Sequence, residues 1–128
     1  MMTMDRKTIA EGLRSLGLKK GSIVMLHSSF LSLGQVKKGP PEVIKAFLDV
    51  IGEKGTLLVP AFGQFGVLVE EVKNLPGSVI SSCPVGTVAA YGADAEELCA
   101  DHWKAETAHG KDTPYTRLAD KGGFICLL

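Results

Sequence analysis

No run of apolar residues in this 128-residue chain approaches the roughly 18 to 20 that a membrane-crossing helix needs. The first 20 residues alternate charge with apolar groups and so lack the apolar stretch of a secretory leader. No membrane partner is expected, and the cytoplasm is the expected compartment. Net charge is lacking too: 14 basic and 14 acidic side chains cancel, so bulk attraction to a phosphate backbone gives no reason to expect a nucleic-acid partner. Cysteine is scarce. Cys83, Cys99 and Cys126 form neither an even set for a disulfide framework nor a paired metal-ligand spacing, which points to free thiols, a reducing compartment and no metal. The chain also has no internal repeat, no low-complexity tract, no linker, and neither a P-loop nor a dinucleotide fingerprint.

What is present suits one globular domain over residues 1–128, with 45% hydrophobic and 22% charged residues. Apolar periodicity predicts a helix from Asp5 to about Leu16, with Ile9, Leu13 and Leu16 on one face and Gly17 as the stop. The run 23–26 reads as a buried strand that delivers His27, Ser28 and Ser29 at its carboxyl end, with His27 packed there. Residues 34–39 read as a loop. Pro40 and Pro41 start a helix whose stripe includes Val43, Phe47 and Ile51, Gly52 closes it, and residues 56–59 form a second buried strand ended at Pro60. Further helices are expected over residues 66–75, from Asp94 with Glu97 as a capping box, and from Thr113-Pro114. Strands are expected over residues 87–91 and 124–128. The alternation predicts an α/β fold, a mostly parallel central sheet flanked by helices. Its bare last strand predicts a homodimer that covers the edge.

Charge is sorted along the chain. Residues 1–55 hold nine Lys or Arg against five Asp or Glu, and residues 56–128 hold the reverse. The loop 34–39 combines Lys37 and Lys38 with the positive end of the following helix, a combination that draws a phosphate or pyrophosphate and equally describes a solvated loop. Trp103 and Tyr115 are the aromatic candidates for stacking on a coenzyme or a sugar.

Several segments resemble a known family. Leu16-Gly17, Lys20-Gly21, the run from Val24 to Ser29, Leu33-Gly34, Gly55-Thr56-Leu57 and Pro60 are similar to the amino-terminal half of the aminoglycoside N3-acetyltransferases. The resemblance resumes at Phe65-Gly66, at Cys83-Pro84-Val85-Gly86-Thr87, which stands where that family has His-Pro-x-His-Ser, and at Gly110 to Tyr115 and Gly123 to Leu128. It covers nearly the whole chain, while family members carry a long segment between Pro60 and Phe65 and continue beyond the last strand.

The resemblance implies acetyl-coenzyme A as the donor co-substrate and an amine of an aminoglycoside-like small molecule as acceptor. Ser28, Ser29, Val36, Lys37, Lys38 and Gly39 are the coenzyme-binding candidates it implies. It also implies that a motif histidine serves as base, at a position that is Gly86 here. An ammonium must lose a proton before it attacks a thioester, and the oxyanion that follows needs a donor. The catalytic candidates are therefore Thr87 and Thr113 as hydroxyl donors and Cys83 as a replacement base, with His102 and His109 as the other groups able to take a proton. The alternative expectation is a non-catalytic module of the same lineage that binds coenzyme A or serves assembly.

Overall fold

A computed structural model describes residues 3–27, 35–36, 38–61, 67–82, 86–105 and 110–127. Asp5 caps α1, Arg6–Ser15, by accepting the Thr8 N–H at 2.8 Å, and the helix buries Ile9, Ala10 and Leu13. Leu16 leaves the predicted stripe: it is the C-cap residue, 70% exposed, because the chain turns away before the next helical repeat. Ahead of α1, β1 (Thr3–Met4) pairs parallel with β3 (Gln35–Val36), so the expected loop 34–39 contains a short strand. Only a partner distant in sequence creates it.

The main sheet has five strands in the order β5 (Val79–Ile80), β6 (Val88–Gly92), β4 (Thr56–Pro60), β2 (Ile23–His27) and β7 (Phe124–Leu127). At its centre lie β2 (Ile23–His27) and β4 (Thr56–Pro60), parallel, with Val24 opposite Leu57 and joined by α2 (Pro40–Ile51). Gly52 ends α2, its N–H donating to the Leu48 carbonyl at 2.9 Å. Beyond α3 (Val67–Lys73) come β5 (Val79–Ile80) and β6 (Val88–Gly92). These two are antiparallel to each other, and β6 is antiparallel to β4. The sheet is therefore mixed, not mostly parallel. β5 and β6 lie too close in sequence for the crossover that parallel neighbours require, and their antiparallel pairing sets β6 between β4 and β5. At Gly92, where β6 meets Thr56, a side-chain carbon would collide with the Gly55 carbonyl oxygen, so only glycine fits.

Helices cover both faces. Phe47, Val50 and Ile51 of α2, with Leu13 of α1 and Val72 of α3, pack on Val24, Leu57 and Val59. The opposite face, with Met25, Leu58, Val88 and Ala90, is covered by α4 (Ala95–Cys99) and α5 (Pro114–Asp120). Asp94 precedes α4 without the predicted cap, since its φ of −105° and ψ of 13° are not extended and its side chain makes no cap bond. Its N–H donates to Thr56 Oγ1 at 2.9 Å. β7 (Phe124–Leu127) pairs parallel with β2 and forms an edge on which Phe124 and Ile125 are exposed. Among the described residues, no helix is long and apolar enough to cross a membrane.

Candidate functional site

The carboxyl ends of β2 and β4 meet the amino end of β6, with Pro60 opposite Val88. Since α2 runs from the carboxyl end of β2 back to the amino end of β4, its first turn lies at this end as well. Two corners result.

The first corner is the start of α2. Val36 lies in β3, and after it Lys38 (φ 66°) and Gly39 (φ 80°) turn the chain into the helix. Gly39 is the N-cap and offers no side chain. Pro40 and Pro41 occupy the first helical positions and have no N–H, while the Glu42 N–H donates to the Gly39 carbonyl at 3.2 Å. The expected fan of helix-start donors is thus reduced, because the prolines that start the helix also remove them. The cations remain. A hollow of about 270 Å³ is lined by Asp5, Arg6, Lys7, Lys38 and Glu42. Arg6 is committed to Asp49, with Nε and Nη2 each 2.6 Å from a carboxylate oxygen. That bond raises the guanidinium pKa and holds the carboxyl of Asp49 below its usual range. His27, expected to be packed at the strand end, is exposed. Ser28, Ser29 and Lys37 lie outside the described residues.

The second corner is the hairpin 81–88. The Ser81 N–H donates to the Val88 carbonyl at 2.8 Å, and the Val88 N–H returns to Ser81 Oγ at 2.9 Å. His102 opens a 3-10 turn, His102–Lys104, and is 1% exposed with Nδ1 2.8 Å from Ser81 Oγ. Its burial removes it as a base open to the acceptor. Tyr115 sets its ring edge-on to His102 at 6.4 Å and donates its hydroxyl to the Gly86 carbonyl at 3.3 Å. Thr87, half-buried, accepts the Ala61 N–H on its carbonyl at 2.7 Å, which places it at the carboxyl end of β4. Cys83 and His109 lie outside the described residues. Trp103 is exposed, with the Lys104 ammonium 5.2 Å from its ring centre.

Thr113 has another occupation. It is fully buried, its hydroxyl donates to the Gly110 carbonyl at 2.7 Å, and with Thr116 it forms the capping box of α5. A hydroxyl so committed serves as a helix cap. Cys99 and Cys126 are free and buried. Burial pushes the Cys99 thiol up to about 11, against a smaller opposing pull from Arg117, and raises Cys126 as well. Neither thiol is a thiolate at neutral pH.

Sequence reasoning missed the set Ser81, His102 and Tyr115. Nothing in their spacing joins them, and Ser81 carried no motif of its own. It missed Arg117 too, whose guanidinium donates to the carbonyls of Glu97, Leu98 and Ala100 and so caps α4 from α5.

The sequence profile described as aminoglycoside 3-N-acetyltransferase matches residues 25–65 and 63–128. Aminoglycoside N(3)-acetyltransferase VII of Streptomyces paromomycinus is 35% identical over 161 aligned positions, covering 98% of this chain and 55% of that protein. The crystal structure of aminoglycoside acetyltransferase AAC(3)-Xa superposes with a TM-score of 0.90 at 32% identity, covering 98% of this chain and 56% of that one. The structure of AAC-IIIb in its binary state with CoASH superposes at 0.88 and 26% identity, covering 99% and 60%. This chain spans about half the length of the curated relatives it matches. The 161 aligned positions exceed its 128 residues, and the profile match breaks at residues 63–65, so the relatives carry a segment there that has no counterpart here. Matched across residues 25–128, the chain belongs to the aminoglycoside 3-N-acetyltransferase family.

Proposed function

We propose that this chain is an acetyl-coenzyme A dependent N-acetyltransferase-like domain, acting in the cytoplasm on an amine of an aminoglycoside-like acceptor. The observation that carries the reading is the superposition on AAC-IIIb in its binary state with CoASH, over 99% of this chain. Val36, Lys38 and Gly39 hold the coenzyme, together with Ser28, Ser29 and Lys37, which lie outside the described residues. Lys7 and Lys38 line the hollow at the start of α2 and meet its phosphates as point charges.

In the reaction the acceptor amine, once deprotonated, attacks the thioester carbonyl carbon. The C–N bond forms, an oxyanion develops, and the C–S bond breaks to release coenzyme A as a thiol after protonation. Thr87 supplies a hydroxyl toward the oxyanion, and Cys83 is the proposed base. The edge strand supports pairing of two copies, because Phe124 and Ile125 offer apolar surface on a strand that has β2 as its one strand neighbour among the described residues. A monomer mass in light scattering at high micromolar concentration overturns that pairing.

Calorimetric titration with coenzyme A tests the coenzyme site: saturable binding is expected, and none at millimolar ligand overturns the reading. Thiol release from acetyl-coenzyme A with added aminoglycosides then tests transfer. Binding without release above background replaces the transferase by a binding module.

A further inference from the structure

We infer that His102 is a positioning residue, which with Ser81 and Tyr115 clamps the 81–88 hairpin and sets where the Thr87 hydroxyl stands at the carboxyl end of β4; this rests on the transferase reading above.

The argument begins with burial. A polar group taken out of water is costly unless it is paired, and an apolar side chain would fill the same space without that cost. Yet His102 is 1% exposed and Ser81 5%. Ser81 Oγ meets His102 Nδ1 at 2.8 Å and receives the Val88 N–H at 2.9 Å, so a single hydroxyl ties both arms of the hairpin to a third element. The next residue of the turn repeats the device: the Trp103 N–H donates to Ser82 Oγ at 3.2 Å. From α5, the Tyr115 hydroxyl holds the Gly86 carbonyl at 3.3 Å while its ring braces the imidazole edge-on. Thr87 therefore stands between two residues, Gly86 and Val88, that are each tied down, and its own carbonyl takes the Ala61 N–H. The backbone that carries the Thr87 hydroxyl is thus fixed before charge develops, and a fixed support is what electrostatic stabilisation of an oxyanion requires. His102 acts through Ser81, not on the substrate.

Three substitutions in the full chain separate this role from bulk stability. His102→Phe keeps the volume and loses the hydrogen bond, Ser81→Ala removes its partner, and His102→Asn restores a polar group near the Nδ1 position. Amide hydrogen exchange is read at Ser81 and Val88, with Phe47 on the other face of the sheet as control. Phe and Ala are expected to speed exchange at Ser81 and Val88 about tenfold, the scale of one net hydrogen bond, and to leave Phe47 unchanged. In acetyl transfer they lower kcat about tenfold with the KM for acetyl-coenzyme A unchanged, and Asn recovers most of both losses. Equal acceleration at Phe47, or none at Val88, overturns the clamp, as does a change in KM alone. If the unaltered chain transfers no acetyl group, the transferase reading fails, and the exchange pattern with its rescue by Asn decides the clamp by itself. Should His102→Phe not fold, Ser81→Ala carries the same test.

Discussion

At the start of α2 the cations Lys7 and Lys38 stand in water and Arg6 is paired across the surface to Asp49, whereas across the sheet Ser81 and His102, which tie the arms of the β5–β6 hairpin, are buried. The first corner is charged and open. The field of Lys7 and Lys38 there is screened by salt. In the second corner Ser81 and His102 are buried and Tyr115 is half-buried, and the network is built on hydrogen bonds within the chain. Its donors and acceptors are fixed before any substrate arrives. A flexible, highly charged coenzyme suits the first kind of surface, and a reaction that must meet a developing charge at one point suits the second. The comparison predicts that the two corners fail differently.

The largest effect is expected beneath the hairpin. Leu98 of α4 is fully buried in the cluster that carries Val88 and Ala90, so Leu98→Ala opens a cavity and costs about 2–5 kcal/mol. Urea denaturation measures it, and the loss should be the same in low and high salt because no charge is removed. A loss that shrinks with salt would show that this corner is not held by packing.

Much of this contrast was legible before the fold, and the reason is locality. Asp5 before α1, Pro40 and Gly52 around α2, and Thr113-Pro114 before α5 are signals confined to a few residues, and each stands at the predicted helix end. The buried strands β2 and β4 and the strand β7 were legible for the same reason. Other features depend on what a distant segment does. The β1–β3 pair needs Thr3 beside Gln35, and the antiparallel β6 needs a hairpin inserted between β4 and β5. Leu16 has helical spacing but falls past the last turn. In the site, the corner at the start of α2 was legible as a charged loop, although the prolines that announce α2 also strip it of N–H donors. The clamp was invisible, since residues 81, 102 and 115 meet only once β6, the 3-10 turn and α5 are packed.

A smaller effect sits in the same half and appears only at alkaline pH. Burial raises the Cys99 thiol from an ordinary 9.0 to about 11. Between those values the unfolded chain has given up the proton and the folded chain still holds it, so unfolding releases a proton. Stability therefore falls as pH rises above 9 and levels off above about 11, with a slope of at most about 1.4 kcal/mol per pH unit from this group. Urea midpoints across that window, compared with Cys99→Ala, isolate the contribution, since the two chains differ at this thiol alone. A Cys99→Ala profile as steep as the original would show that the thiol is not the cause.

The smallest effect belongs to the charged corner and has the opposite signature. Arg6 and Asp49 make two bonds of 2.6 Å, the geometry of a strong pair, but their side chains are 46% and 36% exposed. Exposure lets water and ions compete, so Arg6→Ala should cost less than about 1 kcal/mol, and less again at molar salt. The acid side follows from the depressed carboxyl of Asp49: the folded state holds the charged form, so its contribution is full above the ordinary carboxylate range and fades as pH falls through it. Arg6→Ala should thus differ from the unaltered chain at neutral pH and low salt, and converge with it both at pH 2 and at high salt. The two corners would then be separable by salt alone, Leu98→Ala indifferent to it and Arg6→Ala erased by it. A cost at Arg6 that persists at molar salt would mean the pair is held by packing of the arginine stem, and the start of α2 would be as prearranged as the hairpin.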